Sequence, residues 1–362
     1  MESPTSDSPF WNSSSLTLLA LSPNVHCSKL TEDFDFVFVL VPTIYVIIFV
    51  IGTIGNSIII VGLTCCVQKK TVANIYIVNL AIADLSFVAT LPLWAVNMLE
   101  KYKWIFGAFM CKLCAVIMSL NMYASIFLLT CLSIDRYFGI VHPMKSLNQR
   151  TRTKAKIATA IVWCMAGAVS LPTMYFRQTY YSNTHQHTVC SMKYPKNSIF
   201  WMTFVELTKT IVGFVIPFIF QGICYGLIYK NILTSPKKKL RKQKSDKVLK
   251  IVVTMACAFI ICWLPFQTAN FLKVLAKLKI ITSCKIIRLI HATIPITVCI
   301  AFSNSCVNPI LYYFASKRFR NQLTKSLRRS LYRSYENATQ RQKSGRMETH
   351  GSVYFMDELM KK

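Results

Sequence analysis

Charge is what this chain has least of. Only 15% of its 362 residues are Asp, Glu, Lys or Arg, against roughly 25% in soluble domains. With 53% apolar residues and a positive mean hydropathy, an ordinary water-soluble globule is excluded. Acids are the scarcest charges: 14 Asp and Glu stand against 42 Lys and Arg, a formal net charge of +28. Such an excess invites a nucleic-acid reading, but its distribution speaks against one. The basic residues sit in short segments between apolar runs and in the tail, where positive-inside sorting puts them. Also missing is any His and Cys cluster with metal-site spacing. Of the 14 cysteines, nine (Cys65, Cys66, Cys131, Cys164, Cys224, Cys257, Cys262, Cys299 and Cys306) lie inside apolar runs as small hydrophobes, and four are placed for bridging. No basic leader precedes the first apolar run, which is therefore expected to act as its own membrane anchor.

What the chain does have is length in its apolar runs. A membrane-crossing helix needs about 20 mainly apolar residues, and seven stretches qualify: 36–65, 72–99, 108–141, 155–175, 199–230, 247–277 and 286–314. This predicts an all-α membrane protein, a seven-helix bundle over 36–314. The segments after spans one, three and five carry the dense basic runs, so they and the tail are expected in the cytoplasm, with residues 1–35 outside. Asn12 of Asn12-Ser13-Ser14 is then an accessible glycan acceptor. Phe319, Leu323, Leu327 and Leu331 recur four apart among Arg and Lys, which predicts an amphipathic helix over 315–334 lying on inner-leaflet lipid. A solvated basic tail is the plainer reading of the same pattern. Residues 335–362 are polar and read as disordered.

Polar residues inside the spans carry the functional signal, because an ionised group there costs about 2.5 kcal/mol or more unless satisfied. Asp84 of "NLAIADLSF" is one, and Asn56, Asn121, Ser125, Asn304, Ser305 and Asn308 are placed to approach it. Together these oxygens form a polar core able to hold internal water or a sodium ion. Taken singly, each is better read as a hydrogen bond between helices. Pro172, Pro217, Pro265, Pro295 and Pro309 each remove a helical hydrogen bond and joint spans four to seven. Trp263, just before the Leu264-Pro265 joint, is either a coupling element or an ordinary packed indole. At the inner end of span three, Asp135-Arg136-Tyr137 sets an acid beside a base with no nucleophile or metal near. That arrangement suits a releasable ion pair, not catalysis.

These landmarks resemble the rhodopsin-like G-protein-coupled receptors: "GN" in span one, "NLAIADL" in two, "DRY" in three, Trp163 in four, Pro217 with Tyr225 in five, "CWLP" in six and "NPILY" in seven. Within them, "TLPLWAV", "LNMYASIFLLTCLSIDRY", "LPTMYFR" and "IVGFVIPFIF" are similar to the angiotensin II receptors, and "AFIICWLPF" and "RMETHGSV" look more like their type 2 branch than type 1. The resemblance implies a plasma-membrane receptor for an angiotensin II-like peptide hormone, acting on a G protein or arrestin-type effector. It implies that Trp94 packs on the ligand, Arg177 donates to its carbonyls and Lys209 pairs its terminal carboxylate. A pairing of Lys209 with Glu206 at i,i+3 is the alternative from the residues alone. It further implies that Trp263 and Pro265 transmit, that Arg136 leaves Asp135, and that Tyr225 and Tyr312, with Asn308 and Pro309, hold the open inner face. Disulfides Cys111 with Cys190 and Cys27 with Cys284 carry over on the same footing.

Two positions depart from that pattern. Lys273 and His291 stand where the family has acids that would receive a peptide arginine, leaving Glu32, Asp33 and Asp35 either to offset the basic mouth or to receive that arginine. A transporter built on Asp84 is the rival class, opposed by a single membrane acid, an odd number of spans and no paired broken helices. A retinal-binding photoreceptor needs a Schiff-base lysine in span seven, and 292–308 contains none.

Overall fold

The computed structural model describes residues 35–66, 71–143, 150–183, 185–195, 199–234, 239–316, 319–325 and 328. Among them are seven helices long and apolar enough to cross a membrane: Val37–Cys66, Val72–Leu99, Gly107–Val141, Arg152–Phe176, Ile199–Thr234, Leu249–Lys277 and Cys284–Phe314. They are called spans one to seven below. The hydropathic reading thus locates every span within a few residues. Span four starts earlier than its apolar run because Thr151 caps it, its hydroxyl accepting from the Lys154 amide at 3.2 Å, and caps rather than hydropathy set helix starts. Thr71 does the same for span two through the Asn74 amide. The helix of span six extends inward past its apolar part and begins at Lys239.

Span three is the axle of the bundle: 61% of its apolar window is buried, against 28–50% in the others. Leu128, Leu129 and Leu132 on it are fully enclosed, whereas Val39, Ile47 and Ile54 of span one and Ile157 and Ile161 of span four face outward. Outward apolar side chains are what hydrocarbon surroundings require. Pro42, Pro172, Pro265, Pro295 and Pro309 lie inside helices. In span five a π-helical turn, Ile211–Val215, comes just before Pro217, where the missing proline N–H loosens the ladder.

One element goes beyond the all-helical expectation. After Phe176 the chain leaves span four as a strand, β1 (Arg177–Ser182), which pairs antiparallel with β2 (His187–Met192). Thr, Tyr and Val favour the pleated form here. The hairpin caps the outer mouth, and a Cys111–Cys190 disulfide ties β2 to the start of span three. Cys284 is also disulfide-bonded; its expected partner Cys27, with Asn12, Glu32 and Asp33, lies outside the described residues. The expected tail region 335–362 lies outside them too.

Residues 319–325 are helical, as the apolar spacing predicts. Phe319 is buried, its ring 5.1 Å from that of Tyr312. It fits because residue 62 is glycine: a Cβ there would stand 2.5 Å from the Phe319 ring. Gly62→Val is therefore expected to expel Phe319, at a cost of about 1–3 kcal/mol for overpacking. The measurement is thermal stability together with hydrogen exchange over 319–325; unchanged exchange there would disprove this seating.

Candidate functional site

The outer half of the bundle encloses a cavity of about 290 Å³ beneath the hairpin. That is at the small end of ligand pockets. Trp94 from span two, Arg177 from β1, Lys209 from span five, and Trp263 and Lys273 from span six all line it, bringing five of the six expected ligand contacts together. His291 is not on the wall; its half-buried imidazole leaves Nε2 without a partner. Arg177 is held where span four gives way to β1. Its guanidinium lies 5.2 Å over the Trp94 ring, and its Nε donates to Cys190 Sγ at 3.3 Å. Burial pulls its pKa down to about 10, opposed by Tyr180 and Tyr194, so it remains charged at neutral pH. The buried indole N–H groups of Trp94 and Trp263 have no hydrogen-bond partner among the described residues.

Lys209 is not a bare cation awaiting a ligand. Its Nζ donates to Glu206 Oε1 at 3.1 Å, one helical turn away, with the two side chains 25% and 17% exposed. The i,i+3 alternative left open by the residues is the one realised, because both groups face the cavity and no other carboxylate lines it. Next in sequence, Thr210 Oγ1 donates to Gln267 Oε1 at 3.2 Å and links span five to span six.

Below the cavity, Asp84 is fully buried. Its carboxylate accepts from Asn121 Nδ2 at 2.8 Å, Ser305 Oγ at 2.8 Å and Asn308 Nδ2 at 2.9 Å. Hydrogen bonds to a charged group contribute about 1.5–3 kcal/mol each, so these three offset part of the cost of burying the carboxylate. The bonds tie span two to spans three and seven. Asn56 joins through the backbone, donating to the Ser305 carbonyl at 2.9 Å. Ser125 Oγ, Asn304 Oδ1 and Asn308 Oδ1 are buried with no hydrogen-bond partner. Neutral oxygens beside a carboxylate are a donor set for a hard cation.

At the inner end, Arg136 is ion-paired with Asp135, and its Nε is left without a partner. The sequence reading missed the second holder of this carboxylate. Arg150, in the connection to span four, donates Nε to Oδ1 at 2.7 Å and a terminal nitrogen to Oδ2 at 2.8 Å. This forked geometry is the strong form of the arginine–carboxylate pair. Arg150 was one basic residue among many in "NQRTRTKAK", and only the fold singles it out. It lies where Gly139 leaves room, since a Cβ at 139 would stand 2.6 Å from its guanidinium. Tyr137 meets His142 across 3.2 Å, Tyr225 hydroxyl is 2.6 Å from Ser133 Oγ, and Tyr312 packs on Phe319. Pro265 and Pro309 lie within the helices of spans six and seven.

Similarity to known proteins follows the same landmarks. The 7 transmembrane receptor (rhodopsin family) pattern matches residues 55–312. The type-1 angiotensin II receptor of Canis lupus familiaris is 42% identical over 294 residues, 81% of this chain and 82% of that protein. The Homo sapiens protein of the same name is 41% identical with the same coverage. That of Gallus gallus is 41% identical over 79% of this chain and 80% of its own.

Arg150→Ala removes both bonds to Asp135, and Gly139→Ala is expected to push the same guanidinium aside. Each should lower thermal stability in detergent by about 1–2 kcal/mol, as for a part-exposed charge-assisted pair. The double variant should be no worse than either, because both act on one contact; additive losses would count against the shared cause.

Proposed function

The chain belongs to the rhodopsin family of seven-transmembrane receptors and, within it, to the angiotensin II receptor family; from that membership we propose that it responds to an angiotensin II-like peptide at its outer face. It is a multi-pass plasma-membrane receptor for a peptide hormone, coupled to a G protein, and not an enzyme. The N-terminus faces outward, with Asn12 as its glycan acceptor and the basic connections inward. An arrestin-type effector is a second inner partner, and lipid of the inner leaflet receives the helix that includes residues 319–325. We further propose a type 2-like subtype, on the stretches "AFIICWLPF" and "RMETHGSV".

The observation that carries this reading is the cavity that sets Lys209, Arg177 and two partnerless indole N–H groups around one space. An incoming C-terminal carboxylate shares Lys209 with Glu206 or displaces it, Arg177 donates to peptide carbonyls, and apolar side chains rest on Trp94 and Trp263. A ligand shifts an equilibrium only through differential affinity for its states, so these contacts tighten as span six swings about Pro265. Arg136 then leaves Asp135, while Tyr225 and Tyr312 leave Ser133 and Phe319 to line the opened inner face beside Asn308 and Pro309. Asp84 with Ser125, Asn304 and Ser305 holds a sodium ion in the closed form; when bound, the ion supplies a fixed positive charge to the carboxylate.

Competition of labelled angiotensin II on transfected cells, against unrelated peptides with free carboxyl ends, tests the reading; specific displacement by angiotensin II is expected. Lys209→Ala should weaken binding of the free-acid peptide about tenfold or more beyond any loss for its amide, and equal losses would remove Lys209 from the carboxylate's site. Asp84→Asn should abolish any dependence of agonist affinity on sodium, and sodium dependence that persists would put the ion somewhere else.

A further inference from the structure

The charges on the cavity wall do not balance. Among the described residues, four cations, Arg177, Lys209, Lys273 and Lys277, share it with a single carboxylate, Glu206; Glu32 and Asp33 lie outside those residues. Glu206 is bonded to Lys209. Lys273 and Lys277, one helical turn apart on span six, have no ion-pair partner among the described residues, yet both lie within electrostatic reach of Glu206. Arg177 has a ring and a sulfur for partners, not an acid. His291 lies within electrostatic reach of the same two lysines and adds no negative charge. Asp35, at the outer start of span one, is taken by Lys101 at 3.4 Å.

Leaving charge uncompensated in a low-dielectric space is costly, and a single ligand carboxylate cannot compensate it. One such group on Lys209 still leaves the span-six pair facing empty space. A peptide arginine brought to Lys273 and Lys277 meets like charge, and like-charge juxtaposition at an interface costs several kcal/mol. We propose that the lysine pair Lys273–Lys277 is a second anion subsite, selecting a peptide that carries an acidic side chain where angiotensin II carries its arginine, in addition to its terminal carboxylate. Lys209 with Glu206 takes the chain end and the span-six lysines take the side chain, so the ligand enters as a dicarboxylate. Specificity here comes as much from repelling a basic residue as from attracting an acidic one. This rests on the receptor reading above and narrows it to an acidic relative of angiotensin II.

The test uses membranes bearing the full chain and two labelled peptides: angiotensin II, and its analogue with the arginine replaced by glutamate. The glutamate analogue is expected to bind about tenfold or more tightly than the parent. In Lys273→Asp the order should reverse. Should that variant fail to reach the cell surface, Lys273→Gln should shrink the preference to about threefold or less. Equal affinities, or tighter binding of the arginine peptide to the unaltered receptor, overturn this inference and leave the receptor reading intact. Binding of neither peptide by correctly displayed receptor overturns both.

Discussion

Hydrocarbon offers no hydrogen bonds, so each ionised group inside this bundle has to find its partner on the protein itself. That constraint decides which helices meet and where. Asp84 draws Asn121, Ser305 and Asn308 to one point and fixes spans two, three and seven to each other. Asp135 draws in two arginines and fixes the inner end of span three to the following connection. Glu206 holds Lys209 at the outer end. Of the three carboxylates, Asp84 fastens one span to two others, Asp135 fastens a span to its connection, and Glu206 pairs within span five.

The same three sites divide the receptor's work by depth. The outer carboxylate is outnumbered by cations and so defines what a ligand brings. The middle one is saturated by neutral donors but flanked by buried oxygens that lack partners, a centre that can be rearranged without a charge being exposed. The inner one is overfilled. Between them run links whose hydrogen bonds join neighbouring spans: Thr210 with Gln267, Tyr225 with Ser133, and Gln221 donating to Thr130 at 3.1 Å. In the mechanism proposed above, a change in cavity contents would reach the inner face through such discrete bonds, because close-packed interiors deform in steps, not continuously.

Most of the architecture was legible in the text of the chain. Hydropathy alone positions seven spans, since the membrane sets their length, and the Asp84 cluster is foreseeable because oxygens are expensive at that depth. The outer hairpin was not, because its turn lacks the Asn-Gly or Asp-Gly pair that signals one; Gln186 takes the positive φ instead. Arg150 was hidden for another reason. In a run of basic residues, no local property distinguishes the one that reaches a buried acid; its space is cut by Gly139 on a different segment. The Glu206–Lys209 pair was readable as a possibility from its spacing, but choosing it required knowing that the cavity holds no other acid. His291 shows the converse: a family position can be aligned without the side chain reaching the wall.

The doubled guanidinium grip on Asp135 has a bearing on how readily the inner face can open. If Arg136 were the sole counter-charge, its departure would strand an anion in a dry setting, an expensive intermediate for any conformational step. With Arg150 forked onto both oxygens, Arg136 can be surrendered while the acid stays neutralised. In the proposed opening, the extra basic residue would therefore work less as a lock than as a stand-in, flattening the slope between the two shapes.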